Sequence, residues 1–342
     1  MSGLGLVLHP TRDVTEVVEI IERWATRHNK SLMVRAQDRH RVPASVEPVP
    51  ECEVATRADA LISIGGDGTM LGALRSAVLD PKPVLGVHLG RLGFLVEVEP
   101  PALPEALSRL LSKDFTIESH ACLACDVCGD DVVAFNDIAL VRQPGSGFVT
   151  ATLAVDGQQY GYYRADAVVV STPTGSTAYS YAAGGPLISP ATDAVVITPS
   201  APMAGISRSV VLSPDEKVRL ELEPHSSAVV VEMDGLVFRD AATEGAVDIS
   251  YRRNAGLVVR FDRQRYQERN QLKMTLLDLP FLPEQLRELL PDGAQRSHDH
   301  DFPPRCCPPH PCDCQEFRTW STRDLASSWM RLRWSGPWKD SA

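Results

Sequence analysis

Five residues, Gly65-Gly66-Asp67-Gly68-Thr69, stand between an apolar run, Leu61 to Ile64, and a helical pattern that begins near Met70. Glycines let a backbone approach a phosphate closely. A helix N-terminus adds amides without internal partners and a partial positive charge. A carboxylate inside such a cradle repels phosphate unless it has its own task. It can hold a divalent metal that bridges to the phosphates, or accept a proton from an attacking hydroxyl. The plain alternative is that Asp67 caps the helix that follows. The turn does not match GxxxxGKS/T, and no GxGxxG follows the first apolar run.

A second stretch, "DAVVVSTPTGSTAYSYAAGGPLISP" from Asp166 to Pro190, is dense in hydroxyls. Ser171, Thr172, Thr174, Ser176 and Thr177, with Gly175 and nearby amides, can hydrogen-bond a polar ligand, and Tyr179 adds an aromatic face. The alternative is a Ser/Thr-rich turn. Eight cysteines are present. The spacing Cys122-x-x-Cys125-x-x-Cys128 falls in a strand-and-turn pattern with no second ligand pair at zinc-finger spacing, so these thiols read as structural.

Elements that would position these groups can be read from periodicity. Gly3 to Leu8, Leu32 to Val34, Leu61 to Ile64 and Pro83 to Leu89 read as strands. Val14, Val17, Val18, Ile21, Trp24 and Ala25 make one face of a helix, and Met70 to Leu79 reads as another. This alternation predicts an α/β, Rossmann-like domain with a parallel sheet over residues 1–115. From 116 to 265, short Val/Thr/Ile-rich strands separated by turns predict a β-rich, β-sandwich-like domain. Residues 266–290 are expected to return to the N-terminal domain. The stretch 291–342, with "PPRCCPPHPCDC" and four tryptophans, is expected to be a disordered tail.

The chain has 342 residues and a net charge of −10. That acidity, without a basic stripe, argues against nucleic-acid binding. No apolar run approaches the roughly 20 residues that span a bilayer. The start "MSGLGLVLHP" lacks a basic flank and a cleavage site. A cytoplasmic protein with no membrane contact is expected.

Taken in order, "GGDGTMLGA", "LGRLGFL", "FND" and "RADAVVVSTPTGSTAYSYAAGGP" resemble the NAD kinase family over about residues 3–280. GGDGT alone is shared with diacylglycerol-type lipid kinases; the long TPTGSTAY block is far more specific. The resemblance implies phosphoryl transfer from ATP, or polyphosphate, to the adenosine ribose 2′-hydroxyl of NAD. It also implies a divalent metal, Mg2+ foremost, and a homo-oligomer, dimer or tetramer. Asp67 would be the proton acceptor, within the loop Gly65, Gly66, Gly68 and Thr69. Asn136 and Asp137 would contact the dinucleotide, and Arg164 and Asp166 would line its pocket. Thr174, Gly175, Ser176, Thr177, Ala178, Tyr179, Ser180, Tyr181 and Ala182 would wrap the nucleotide, and Ala201 would pack against it.

The chain departs from the family pattern at four places. Asp137 stands where Glu is usual, and His88 where Asn is usual. Met203 replaces a His, and Leu236 a Gln. Two rival functions stay in view: a non-catalytic NAD(P)-binding regulator in which these changes have ended turnover, and a lipid kinase built on the same loop.

Overall fold

The structure, a computed structural model, describes residues 2–90, 94–127, 130–224, 226–242 and 245–262. All belong to one compact unit, Met1–Pro280. The segments 266–290 and 291–342, with their expected docking and disorder, lie outside the described residues.

The first half alternates strands and helices: β1 (Gly3–Leu8), α1 (Thr15–Arg27), β2 (Ser31–Arg35), β3 (Glu47–Val49), α2 (Glu51–Arg57), β4 (Ala60–Gly65), α3 (Asp67–Ser76), β5 (Pro83–His88) and α4 (Leu103–Ser112). The strands are parallel in the order β5-β4-β1-β2-β3. The chain therefore leaves β1 toward one edge and β4 toward the other. The carboxyl ends of β1 and β4 form the switch point where open α/β sheets bind ligands. Helices cover both faces. All six apolar residues read as one helix face, from Val14 to Ala25, are buried, and Trp24 Nε1 donates to Ser108 Oγ of α4 at 3.1 Å. On the opposite face α3 buries Met70, Leu71, Ala73 and Leu74 in a cluster that also holds Phe135 and Val258 from the second half.

The second half is almost all strand: β6 (Thr116–Val127), β7 (Asp130–Ala134), β8 (Asp137–Arg142), β9 (Val149–Val155), β10 (Gln158–Ala165), β11 (Ala167–Ser171), a short helix α5 (Tyr179–Ala182), β12 (Val195–Ser200), β13 (Ala204–Gly205), β14 (Val210–Leu212), β15 (Val218–Leu222), β16 (Val229–Met233), β17 (Leu236–Ala242) and β18 (Gly245–Arg260). One antiparallel sheet runs β14-β12-β11-β8-β16-β17. The other runs β13-β10-β9-β15-β18 and continues into the N-terminal sheet, because β18 pairs in parallel with β5 at Leu257 and Val258. Strand β9 alternates strictly, with Val149, Ala151, Leu153 and Val155 turned into the space between the sheets. Central strand β11 is buried on both faces. The expected α/β domain and β-sandwich-like region are both present, joined by one continuous sheet rather than by a linker alone. No helix among the described residues is long and apolar enough to cross a membrane.

Candidate active site

Asp67 opens α3, and Gly66 at the N-cap position leaves the helix without a side-chain cap. Its first amides are therefore free for other acceptors. A methyl group added to Gly66 or Gly68 would meet nothing within 4 Å, whereas at Gly65 it would meet Thr69 Oγ1 at 2.2 Å. The turn is thus tight on one side and open on the other. The Asp67 carboxylate does not cap its own helix. Its two oxygens accept from the amides of Phe94 and Leu95, both at 2.9 Å.

The end of β1 lies beside this turn. His9 N donates to Ile64 O at 2.8 Å. His9 Nδ1 accepts from Thr11 N and Arg12 N, which leaves the neutral ring's proton on Nε2. Arg12 reaches Leu89 O at 2.9 Å, and Leu89 N in turn donates to Gly65 O at 3.1 Å. Arg41 donates to Arg12 O at 2.6 Å. Burial, then the charges of Arg12 and Arg41, hold the His9 imidazole below its usual value. Sequence reasoning missed this positive corner because its residues are scattered between 9 and 41.

Asn136 and Asp137 lie at the start of β8, directly after Phe135, which packs in the cluster with Met70 and Leu74. Asp137 is buried. The TPTG turn lies against this segment. Thr172 N donates to Asn136 O at 2.9 Å and Thr172 Oγ1 to Phe135 O at 2.7 Å. Gly175 N donates to Thr172 Oγ1 at 3.0 Å. Several hydroxyls read as ligand donors instead build the turn. Ser176 Oγ donates to Pro173 O and accepts from Ile188 N, and Ser180 Oγ bonds Thr198 Oγ1. Ser176 and Ser180 are fully buried, while Thr174, Thr177, Ala178, Tyr179 and Tyr181 are part-exposed and Ala182 is exposed.

Arg164 and Asp166 sit at the end of β10. Arg164 lies over the Phe148 ring, 5.2 Å from its centroid, and Asp166 pairs with Arg142 at 2.7 Å. Met203 N donates to Arg164 O and Asp166 N to Ser200 O, which brings Ala201, at φ 48°, to the same corner. Met203 and Leu236 are exposed. His88 is buried at the end of β5 with Nε2 3.5 Å from Glu99 Oε1. It lines a recess of about 360 Å³ with Asp13, Glu16 and Glu99. Cys122 and Cys125 are buried, and burial pushes Cys122 up to about 11. Cys128 lies outside the described residues. No group of three His, Cys, Asp or Glu among the described residues could hold a metal ion.

Sequence models of the ATP-NAD kinase N-terminal and C-terminal domains match residues 4–115 and 135–261. The chain belongs to the NAD kinase family. The NAD kinase of Desulforamulus reducens is 34% identical over 241 residues, 69% of this chain and 84% of that one. The NAD kinase of Rhodococcus erythropolis is 34% identical over 256 residues, covering 69% and 79%. Two solved structures share the fold. Yeast NADH kinase complexed with NADH has a TM-score of 0.73 at 21% identity, over 83% of this chain and 89% of that chain. An Archaeoglobus fulgidus NAD kinase in complex with ATP has 0.62 at 24%, over 79% and 98%. This member of the NAD kinase family is accordingly a phosphotransferase with NAD and ATP as its substrates. The match of the C-terminal domain separates it from the lipid kinases that share GGDGT.

Proposed function

We propose that Asp67 is the general base of this NAD kinase: it accepts the proton of the adenosine ribose 2′-hydroxyl as that oxygen attacks the terminal phosphorus of ATP. The observation that carries this reading is what holds Asp67. A capping aspartate accepts from its own helix, but this carboxylate is aimed by amides 27 and 28 residues away. Each oxygen keeps further acceptor capacity for a hydroxyl. A ribose hydroxyl is almost wholly protonated at neutral pH, so a positioned base contributes about 10²–10⁴-fold.

The open faces of Gly66 and Gly68 and the uncapped start of α3 offer amides to the donor phosphates. A divalent metal, Mg2+, would arrive on the phosphates and be held by their oxygens, since no group of three His, Cys, Asp or Glu among the described residues could hold it. It would supply charge neutralisation on the transferring group. On the acceptor side Asn136 and Asp137 contact the dinucleotide, and Arg164, Asp166 and Ala201 line its pocket. The part-exposed run Thr174, Thr177 to Tyr179 and Tyr181 wraps the nucleotide. The enzyme works in the cytoplasm as a homo-oligomer, for which exposed Tyr160, Tyr162 and Met203 offer apolar surface.

Asp67→Asn keeps the shape and removes the basicity. With NAD, ATP and magnesium, NADP formation by this variant is expected to fall by about 10²–10⁴ in kcat, with the KM for NAD little changed. Full turnover by the variant would remove Asp67 from this role.

A further inference from the structure

Among the described residues, two Asp-Gly hairpin turns share one backbone type. Asp156-Gly157 joins β9 to β10 at φ 48° and 78°, and Asp234-Gly235 joins β16 to β17 at φ 47° and 76°. Both residues in the left-handed region is the two-residue hairpin signature. The turn itself does not require a buried carboxylate. Asp156 is exposed, and its side chain accepts the Lys217 amide at 3.0 Å. The Asp234 side chain is 1% exposed. Its carboxylate accepts from three consecutive amides, Phe135 at 3.3 Å, Asn136 at 2.7 Å and Asp137 at 3.3 Å, and it pairs with Arg75. The backbone closes the clamp, with Asp234 N donating to Asp137 O at 2.9 Å.

Arg75 lies in the last turn of α3, the helix that begins at Asp67. A buried carboxylate with this many partners is costly to disturb. Among its partners are the amides of both residues read as contacting the dinucleotide, Asn136 and Asp137. We propose that Asp234, with Arg75 as its counter-charge, is a positioning residue for the acceptor: it sets the Asn136–Asp137 backbone and locks it to the helix that carries Asp67. This rests on the reading of Asn136 and Asp137 as dinucleotide contacts.

The test uses the full chain, with calorimetric NAD binding beside steady-state kinetics. Asp234→Asn keeps the volume but sets an amide NH2 against amide donors and the guanidinium. Its Kd and KM for NAD are expected to rise about tenfold or more, with the KM for ATP changed less than about twofold. Arg75→Lys retains the charge and is expected to recover most of the NAD affinity that Arg75→Met loses. A folded Asp234→Asn variant with NAD affinity within about twofold of the parent overturns the proposal, as does an equal loss for both substrates. Should Asp234→Asn fail to fold, the Arg75 pair decides, and equal NAD affinity in Lys and Met variants overturns it. A parent that binds NAD but forms no NADP sinks the phosphotransfer reading while the binding comparison still decides this one. A parent that binds no NAD sinks both.

Discussion

Asp67, Gly68 and Gly175 show how differently single residues in one site can be constrained. A methyl on Gly175 would sit 1.9 Å from Asn136 O and 2.3 Å from its carbonyl carbon, both backbone atoms. Gly175→Ala must therefore move either the TPTG turn or the Asn136 segment. A loss of about 2–4 kcal/mol in stability is expected, measured by urea unfolding. Gly68→Ala meets no protein atom and lies in the first turn of α3, where alanine is the better helix former by up to about 1 kcal/mol. Its melting temperature should hold or rise while NADP formation falls, because the methyl would fill the space proposed for phosphate. Equal destabilisation of the two variants would contradict this division. The glycines and hydroxyls of both turns were legible from residue type alone. What Asp67 binds was not, because Phe94 and Leu95 lie beyond any local pattern. Nor were the roles of Ser176 and Ser180, whose hydroxyls turn inward to build the loop. The Asp234-Gly235 dipeptide between two Val-containing runs suits a hairpin, but only tertiary packing aims its carboxylate at Asn136.

At the scale of elements, apolar periodicity placed β1, β2, β4 and β5 and the helices α1 and α3, but not the short β3 and α2 or the later α4. It missed the corner where β1 ends. There His9 accepts two amides on Nδ1 beside Arg12 and Arg41. Burial and the two guanidinium charges lower its pKa from the ordinary value of 6.5. The unfolded chain then takes up a proton at a higher pH than the folded one. The contribution of His9 to stability is therefore complete above about 6.5 and is lost as pH falls toward its folded value. An NMR titration of the His9 ring should give a midpoint below 6.5. Arg12→Ala should move that midpoint upward by removing one of the two charges. A midpoint unchanged by Arg12→Ala would show that the guanidinium does not act on the ring.

Across the whole molecule, the long strand β18 does what no local pattern announced: it makes the two halves share a sheet. Arg260 at its end is 2% exposed and donates to Leu95 O at 3.0 Å, Phe94 O at 3.3 Å and Glu97 Oε2 at 3.1 Å, and it pairs with Glu118. The backbone amides of the same two residues donate to Asp67. Glu118 Oε1 lies 2.9 Å from His120 Nε2, and His120 Nδ1 is 3.4 Å from Thr174 Oγ1. A chain of polar contacts therefore runs from Asp67 through Arg260 to the TPTG turn, buried at Arg260 and His120 and part-exposed at Asp67, Glu118 and Thr174, and Arg260 is its hub. Arg260→Met takes the guanidinium from buried Glu97 and part-buried Glu118 and is expected to cost about 3–5 kcal/mol by urea unfolding. Arg260→Lys restores the charge but not the fork that grips two carbonyls and two carboxylates at once. It should fold more stably than the Met variant yet lose turnover, because the peptides that aim Asp67 are no longer fixed. A lysine variant with both parental stability and parental kcat would show that charge alone suffices at this hub.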